Sequence, residues 1–360
     1  MKKKSLLLYI PSIEGGGVEK ILYLVANYLV KKKININVLT ASNYKNKYFS
    51  KKIKIISLKK KKNLIKSRFF KNIISIFLFI KYCRNENITI LSFQSNVTAI
   101  ILSLIFNKKI IIRSNTSPDK YIKNSLKKFI FRFFFNFADK IIVNGYEFKK
   151  KFKKIFSINP VVIYNPFIGK MSKKINFTFF NDKKCLKIIN VARLTDQKDH
   201  LTLLKAVKKL ANLRKCKLAI VGRGYKEKIL RKYILENKLE KIVKLIGYKK
   251  NIESYIKTSD IFVLPSIYEG MPNVLIESLY LKKYIISSDC STGPKEVLNN
   301  GKYGDLFKVG DYNQLFELLK KINIKSNKIK YKINQGYRSL ARFDHTNNCN
   351  KYFQIISEYL

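Results

Sequence analysis

Apolar residues along this chain recur in two alternating rhythms. Short aliphatic and β-branched runs at Ser5–Ile10, Ile36–Thr40, Ile53–Leu58, Ile88–Phe93, Ile110–Arg113, Lys140–Asn144 and Val161–Tyr164 predict strands. Between them the spacing becomes helical. Val18, Ile21, Leu22, Val25, Tyr28 and Leu29 share one face, while Lys20 and Lys31–Lys33 stay in water. Strands separated by helix-length segments predict βαβ units and a parallel sheet.

Tyr164-Asn165-Pro166 interrupts the alternation, and residues 167–184 carry a glycine, a polar Lys/Asn run and no clean period, as a linker does. The alternation then restarts. Strands are expected at Lys187–Val191, Leu218–Val221, Val243–Ile246, Ile261–Leu264 and Tyr284–Ser287, with helices at 199–213, 226–237, 251–257 and 273–281. The last 40 or so residues read as helices. The chain therefore divides into a domain at 1–166, a linker at 167–184, a second domain at 185–340, and a terminal helix at 341–360 expected to pack back on the first domain. Ligands of open parallel sheets bind at the carboxyl ends of the strands, so the cleft between the halves is the expected site.

Composition changes this picture little. The formal charge is +51, but only ten of the 74 basic residues are arginine, and Lys, Asn, Ile, Phe and Tyr are abundant while Trp is absent. That is the signature of an A/T-rich genome, which raises lysine everywhere. What survives is a surface attractive to anions. The basic residues are spread along the chain and match no nucleic-acid module, so a nucleic-acid-binding protein is the weaker reading. The five cysteines show no CxxC spacing, and with two histidines no zinc pattern assembles. The apolar start, Ser5–Ile10, is too short for a secretory core. The longest apolar runs, Ile73–Ile80 and Val97–Phe106, fall below the ~18 residues of a membrane span, so a cytoplasmic protein is expected.

Four clusters lie where strands hand over to helices. Glu14-Gly15-Gly16-Gly17 lets backbone approach a ligand at a helix N-terminus, although GxGxxG is not matched. Val191–His200 brings Arg193 and Lys198 onto one loop, where two cations can flank a diphosphate. Glu269-Gly-Met-Pro-Asn-Val-Leu-Ile-Glu277 brackets a helix start with two carboxylates. Ser291–Glu296 forms a fourth such turn.

Taken with Ile220–Gly224, Ile246–Tyr248, Phe262–Glu277 and Gly301–Asp311, these clusters resemble the family-4 retaining glycosyltransferases of the GT-B fold, built of two Rossmann-like α/β domains. Gly293-Pro-Lys-Glu-Val and Gln197-Lys-Asp-His look like bacterial enzymes of lipid-linked oligosaccharide, capsule or O-antigen assembly. The resemblance implies a nucleotide-sugar donor, with UDP expected, and a lipid-linked or glycan acceptor. It implies that Arg193 and Lys198 hold the donor diphosphate, Glu269 the sugar hydroxyls and Glu277 the ribose. Gly270, Met271, Pro272, Asn273 and Val274 would offer backbone contacts, Gly16 would lie against the phosphates, and Gly247 and Tyr248 would flank the base. Arg223 departs from the acidic or neutral residue usual in the family. No histidine precedes His200, which leaves Arg113, Ser114 and Asn115 as the candidates on the acceptor or sugar side. A nucleotide-sugar epimerase shares the two-domain plan but would want histidines and carboxylates in the cleft. No DxD triplet occurs, so no metal and no cofactor are expected.

Two segments set cations beside apolar surface as interfacial helices do, and suggest an anionic membrane partner on the inner face of the cytoplasmic membrane. Lys59–Lys62, Lys66, Arg68 and Lys71 precede Ile73–Ile80. Lys123, Lys127, Lys128 and Arg132 interleave with Phe129, Phe131, Phe133, Phe134 and Phe135. The competing expectation is that those phenylalanines are core facing the sheet.

Overall fold

The computed structural model describes residues 5–42, 48–58, 67–84, 87–115, 118, 125–169, 175–182 and 184–360. The chain forms two compact units, Met1–Phe167 with Phe343–Leu360, and Ile168–Arg342.

The first unit holds a parallel sheet of β1 (Ser5–Tyr9), β2 (Asn35–Leu39), β3 (Lys54–Ile56), β4 (Ile88–Ser92), β5 (Ile110–Ser114), β6 (Lys140–Val143) and β7 (Val161–Val162), in the order β3-β2-β1-β4-β5-β6-β7. All seven expected strands form. β3 and β7 are shorter than their apolar runs because each is an edge strand, paired on one side only. Every residue of β1, β4 and β5 is buried, since helices cover both faces. α1 (Gly17–Lys31) covers one face with Ile21, Leu22, Val25 and Leu29. The other face carries α2 (Arg68–Cys83), α3 (Asn96–Ile105), α4 (Ser125–Phe135) and α5 (Tyr146–Phe156), which contribute Phe79, Ile100, Phe135 and Phe152 to its core.

The second unit repeats the plan with β8 (Leu186–Val191), β9 (Cys216–Val221), β10 (Val243–Gly247), β11 (Ile261–Leu264), β12 (Tyr284–Ser288) and β13 (Asp305–Phe307), in the order β10-β9-β8-β11-β12-β13. Its helices are α6 (His200–Ala211), α7 (Glu227–Glu236), α8 (Ile252–Lys257), α9 (Asn273–Tyr280), α10 (Pro294–Val297), α11 (Tyr312–Lys321) and α12 (Asn327–Arg338). Asp199, Asn251, Asp311 and Ser326 cap α6, α8, α11 and α12 by accepting from the third backbone N–H onward. β13 was not expected. Three residues are too few to show a period, and they become a strand only because Ile286–Ser288 offers an edge to pair with.

Within 167–184, Phe167 donates its N–H to Phe343 O (2.8 Å) and belongs to the first unit. Thr178–Phe180 forms a 3-10 turn on the second, where Phe177 meets Tyr255 edge-on and Lys217 lies over Phe179. The final helix, α13 (His345–Ser357), packs against α1 and places Cys349, Tyr352 and Ile356 in the first unit's core.

Each sheet reverses its strand order beside its first strand, between β1 and β4 and between β8 and β11. In open parallel sheets, ligands bind at the carboxyl ends of the strands beside such a reversal.

Candidate active site

In the second unit the loop after β8 and the loop after β11 meet at this edge of the sheet and are stitched together. Ile267 N donates to Gln197 O (2.8 Å), and Gln197 Nε2 donates to Tyr268 O (2.8 Å). Lys198 Nζ pairs with Glu269 Oε1, which also accepts from the buried Ser266 hydroxyl at 2.7 Å. The ion pair is largely enclosed, with side-chain exposures of 13% and 7%. Arg193, by contrast, is exposed at the mouth of the β8 loop, and no carboxylate pairs with it among the described residues.

The neighbouring loops close around this pair because glycine allows backbone to touch backbone. A Cβ on Gly293 (φ +83°) would lie 1.7 Å from Gly270 O, and one on Gly224 would lie 2.1 Å from Leu194 O. Thr292 Oγ1 donates to Glu269 O (2.5 Å) and Ser288 Oγ to Ser266 O (2.5 Å), so the fourth sequence cluster buttresses the third. Leu194, buried, anchors the β8 loop, its N–H donating to Arg223 O at 3.0 Å. Met271 and Pro272 are buried, and Asn273 and Val274 open α9, where the first N–H groups of a helix lack intrahelical acceptors. Glu277 is buried one turn into α9.

Gly247 ends β10 with φ +74°, and Tyr248 beside it is exposed. The Arg223 side chain reaches this end, its Nε 3.9 Å from where a Gly247 Cβ would stand. Arg193, Lys198, Arg223, Gly247, Tyr248, Glu269, Gly270–Val274 and Glu277 therefore all gather on the carboxyl edge of one sheet.

Burial shapes the titration around the pair. His200, at the start of α6, is 2% exposed, and its Nε2 has no hydrogen-bond partner among the described residues. Desolvation first, and then the Lys198 charge, push its pKa down to about 4, so the imidazole is neutral. Burial, with the Glu269 charge adding to it, pushes the Cys290 thiol up to about 12. That leaves a protonated sulfur rather than a nucleophile.

The first unit carries Gly16 as the N-cap of α1, after Gly15 at φ +81°. The helix supplies its own anion here. Buried Glu19 reaches back so that Oε1 accepts from Glu14 N (3.1 Å), and its Oε2 lies 2.8 Å from where a Gly16 Cβ would be. Sequence reasoning did not single out Glu19 as a site residue. The available signal was a glutamate three residues past the cap, the spacing at which a side chain reaches back to the helix start. Ser266 was missed as well, because its role depends on a fold-back that no local pattern announces.

Ser114 and Asn115 sit at the carboxyl end of β5, two strands from β1; Ser114 is buried and Asn115 is half-buried, its Nδ2 donating to Phe93 O (2.7 Å). Arg113 is turned into the core at 1% exposure. Its Nε donates to Tyr352 Oη (2.7 Å) and Nη2 to Asn165 Oδ1 (2.6 Å), which ties α13 to the segment after β7.

Residues 171–338 match the family described as Glycosyl transferases group 1, and residues 15–167 match Glycosyltransferase Family 4. An uncharacterized glycosyltransferase of Methanocaldococcus jannaschii is 32% identical over 57% of this chain and 55% of its own length. The N-acetylgalactosamine-N,N'-diacetylbacillosaminyl-diphospho-undecaprenol 4-alpha-N-acetylgalactosaminyltransferase of Campylobacter jejuni is 30% identical over 68% of this chain and 70% of its own. Among solved structures, Anabaena HepE in complex with UDP and glucose superposes with a TM-score of 0.80 at 16% identity, covering 99% of this chain and 100% of that one.

Proposed function

This chain belongs to the group 1 and family 4 glycosyltransferases of GT-B fold, and we propose that it transfers a hexose or N-acetylhexosamine from a UDP-sugar, with retention and without a metal, to a lipid-linked acceptor. The observation that carries this reading is the enclosed Lys198–Glu269 pair beside exposed Arg193 at the switch point of the second sheet.

Bond breaking between the anomeric carbon and the β-phosphate leaves negative charge on the departing diphosphate. Fixed cations aimed at that charge stabilise it without reorganising. Arg193 supplies one from the loop mouth and Lys198 the other, its ammonium held in position by Glu269. The Glu269 carboxylate, also fastened by Ser266, is the group to accept from the transferred sugar's hydroxyls, and Glu277 serves the ribose. The acceptor hydroxyl oxygen bonds to the anomeric carbon as the phosphate leaves, and its proton passes to the leaving phosphate oxygen. No side chain need act as a strong base.

An undecaprenol-linked acceptor follows the Campylobacter relative. That relative's α linkage also supports retention, since UDP-hexosamines are themselves α-linked. With such an acceptor the protein would work at the inner face of the cytoplasmic membrane. Mass-spectrometric screening of nucleotide sugars against polyprenyl-diphosphate acceptors identifies donor and product. Activity should survive EDTA, the product NMR should show the donor's anomeric configuration, and the Arg193→Ala/Lys198→Ala variant should lose about 10²-fold or more in kcat. Wild-type rates from that variant, a strict Mg²⁺ or Mn²⁺ requirement, or an inverted linkage each overturn part of the reading.

A further inference from the structure

All the phenylalanines exposed among the described residues lie in one region. Phe69, Phe70 and Phe77 are on α2, Phe129 and Phe133 on α4, and Phe137 in the turn after it. Ile73 and Ile80 on α2, Leu104 and Ile105 on α3, and Leu126 and Ile130 on α4 are exposed with them. α2 packs on α3 and α3 on α4, so these side chains belong to three adjacent helices on one face of the first unit. A folded domain gains nothing by holding so much aliphatic and aromatic surface in water, and patches of this kind mark a surface meant to be covered.

α4 has a core-facing aromatic stripe of its own, apart from the exposed one. Phe131 and Phe135 stack edge-on at 5.4 Å, with Phe135 buried against Phe152 and Phe156. Phe129, Phe133 and Phe137 form a separate ladder at i, i+4 spacing, with ring centroids 6.4 and 5.1 Å apart. The helix thus carries two aromatic stripes and buries one. Exposed Lys127, Lys128 and Arg132 flank the open stripe, and exposed Lys81 and Arg84 end α2. No aspartate or glutamate occurs in 68–84, 96–109 or 125–137. No helix among the described residues is long and apolar enough to cross a membrane.

We propose that the joined outer faces of α2, α3 and α4 dock on an anionic phospholipid bilayer, with the Phe129–Phe133–Phe137 ladder seated at the acyl boundary and the cations among the headgroups. Apolar side chains with an acid-free cationic border fit that partner, because interfacial binding combines apolar burial with attraction to anionic lipid. The cations at Lys59–Lys62, Lys66 and Lys123 lie outside the described residues. α2 also links this face to the glycine turn of the same unit. Lys71 Nζ bonds Ser12 Oγ (3.3 Å) and pairs with Glu14, and Asn72 Oδ1 accepts from Ser95 Oγ (3.0 Å). Seating α2 on lipid would thereby hold the β1 loop close to the plane in which a lipid-linked acceptor moves. This consequence rests on the proposed acceptor; the docking itself does not.

The chain contains no tryptophan, so a single one reports its own surroundings. Phe133→Trp should shift its emission to the blue on phosphatidylglycerol vesicles, be quenched by brominated lipid, and do neither on neutral phosphatidylcholine. Leu235→Trp, exposed on α7 of the other unit, should stay unchanged. In sedimentation with the same vesicles, Lys127→Gln/Lys128→Gln should weaken binding about 5-fold per cation at low salt, an advantage that salt abolishes. Phe77→Ser/Phe129→Ser should weaken it at every salt concentration, with wild-type circular dichroism confirming that the protein is folded. Vesicle binding unchanged by both pairs of substitutions overturns the proposal. So does a dimer, seen by light scattering, that the Phe→Ser pair dissociates while vesicles bind to neither protein. Turnover of a water-soluble acceptor analogue should be unaffected by these four substitutions. Loss of transfer without loss of docking would point to the acceptor assignment, and loss of docking alone to this face.

Discussion

Removing Lys198 tests both the architecture and the chemistry of the donor site. Lys198→Ala removes the counter-ion of the Glu269 carboxylate, a side chain only 7% exposed in the intact pair, and leaves the Ser266 hydroxyl as its side-chain donor. Breaking a buried ion pair from one side typically costs about 3–5 kcal/mol, because the other charge stays desolvated. The 13% exposure of the Lys198 side chain places the expectation at the lower end, about 3 kcal/mol. For a unit of this size each kcal/mol moves the midpoint by about 2–4 °C, so the second unit should melt about 6–12 °C earlier. Glu269→Gln should destabilise comparably by stranding the ammonium. Lys198→Met/Glu269→Gln should be more stable than either single variant, the coupling expected of groups in contact. Differential scanning calorimetry with and without UDP then separates structure from function. The stabilisation by UDP should largely vanish in Lys198→Ala, which lacks a phosphate cation, and persist in Glu269→Gln, where Lys198 remains available. Additive single-variant effects, or a Lys198→Ala midpoint equal to wild type, would refute the ion-pair reasoning. Equal UDP shifts in both variants would refute the role of Lys198 at the diphosphate.

Gly293→Ala drives a methyl to 1.7 Å from Gly270 O and 2.8 Å from Pro272 Cδ, so the 270–272 loop must move, and calorimetric titration should show UDP binding at least about 10-fold weaker. Gly310→Ala shares a positive φ (+78°) but meets nothing within 4 Å, so it should lose only about 1 kcal/mol and keep UDP affinity. His200 is neutral in the folded chain and in the unfolded chain takes a proton near pH 6.5, so its contribution is complete above that pH and falls away as pH drops toward about 4. Its ceiling is about 3 kcal/mol, His345 acts in the same direction, and urea midpoints for His200→Gln should depend less on pH across that window than wild type. Arg113→Lys cannot serve Tyr352 and Asn165 together, so urea denaturation should show a loss of about 3 kcal/mol, with earlier proteolysis of α13; an unchanged midpoint would remove the clamp.

The βαβ alternation, the glycine-rich turn at Gly15–Gly17, the loops bearing Arg193, Lys198 and Glu269, and the helix bearing Glu277 were legible from the residues, because periodicity and turn chemistry are properties of contiguous segments. So was the resemblance that the family matches bear out. Less local features were not. β13 needed the β12 edge to exist, and the segment expected as a linker contains aromatics that find Tyr255 and Lys217 only once the second unit has folded.

Tertiary structure alone decided what each candidate does with its charge. Lys198 and Glu269 stand 71 positions apart, and only the adjacency of β8 and β11 makes them partners. Glu19 turned out to occupy the helix start that glycines had marked for a phosphate, and Arg113, expected near a ligand, is enclosed between Tyr352 and Asn165. The phenylalanines of α4 show the division most plainly. Helical spacing says that Phe129 and Phe133 share one stripe and Phe131 and Phe135 another, but both stripes are equally apolar. Only the sheet and α5, which press against Phe135, determine which stripe becomes core and which stays on the surface.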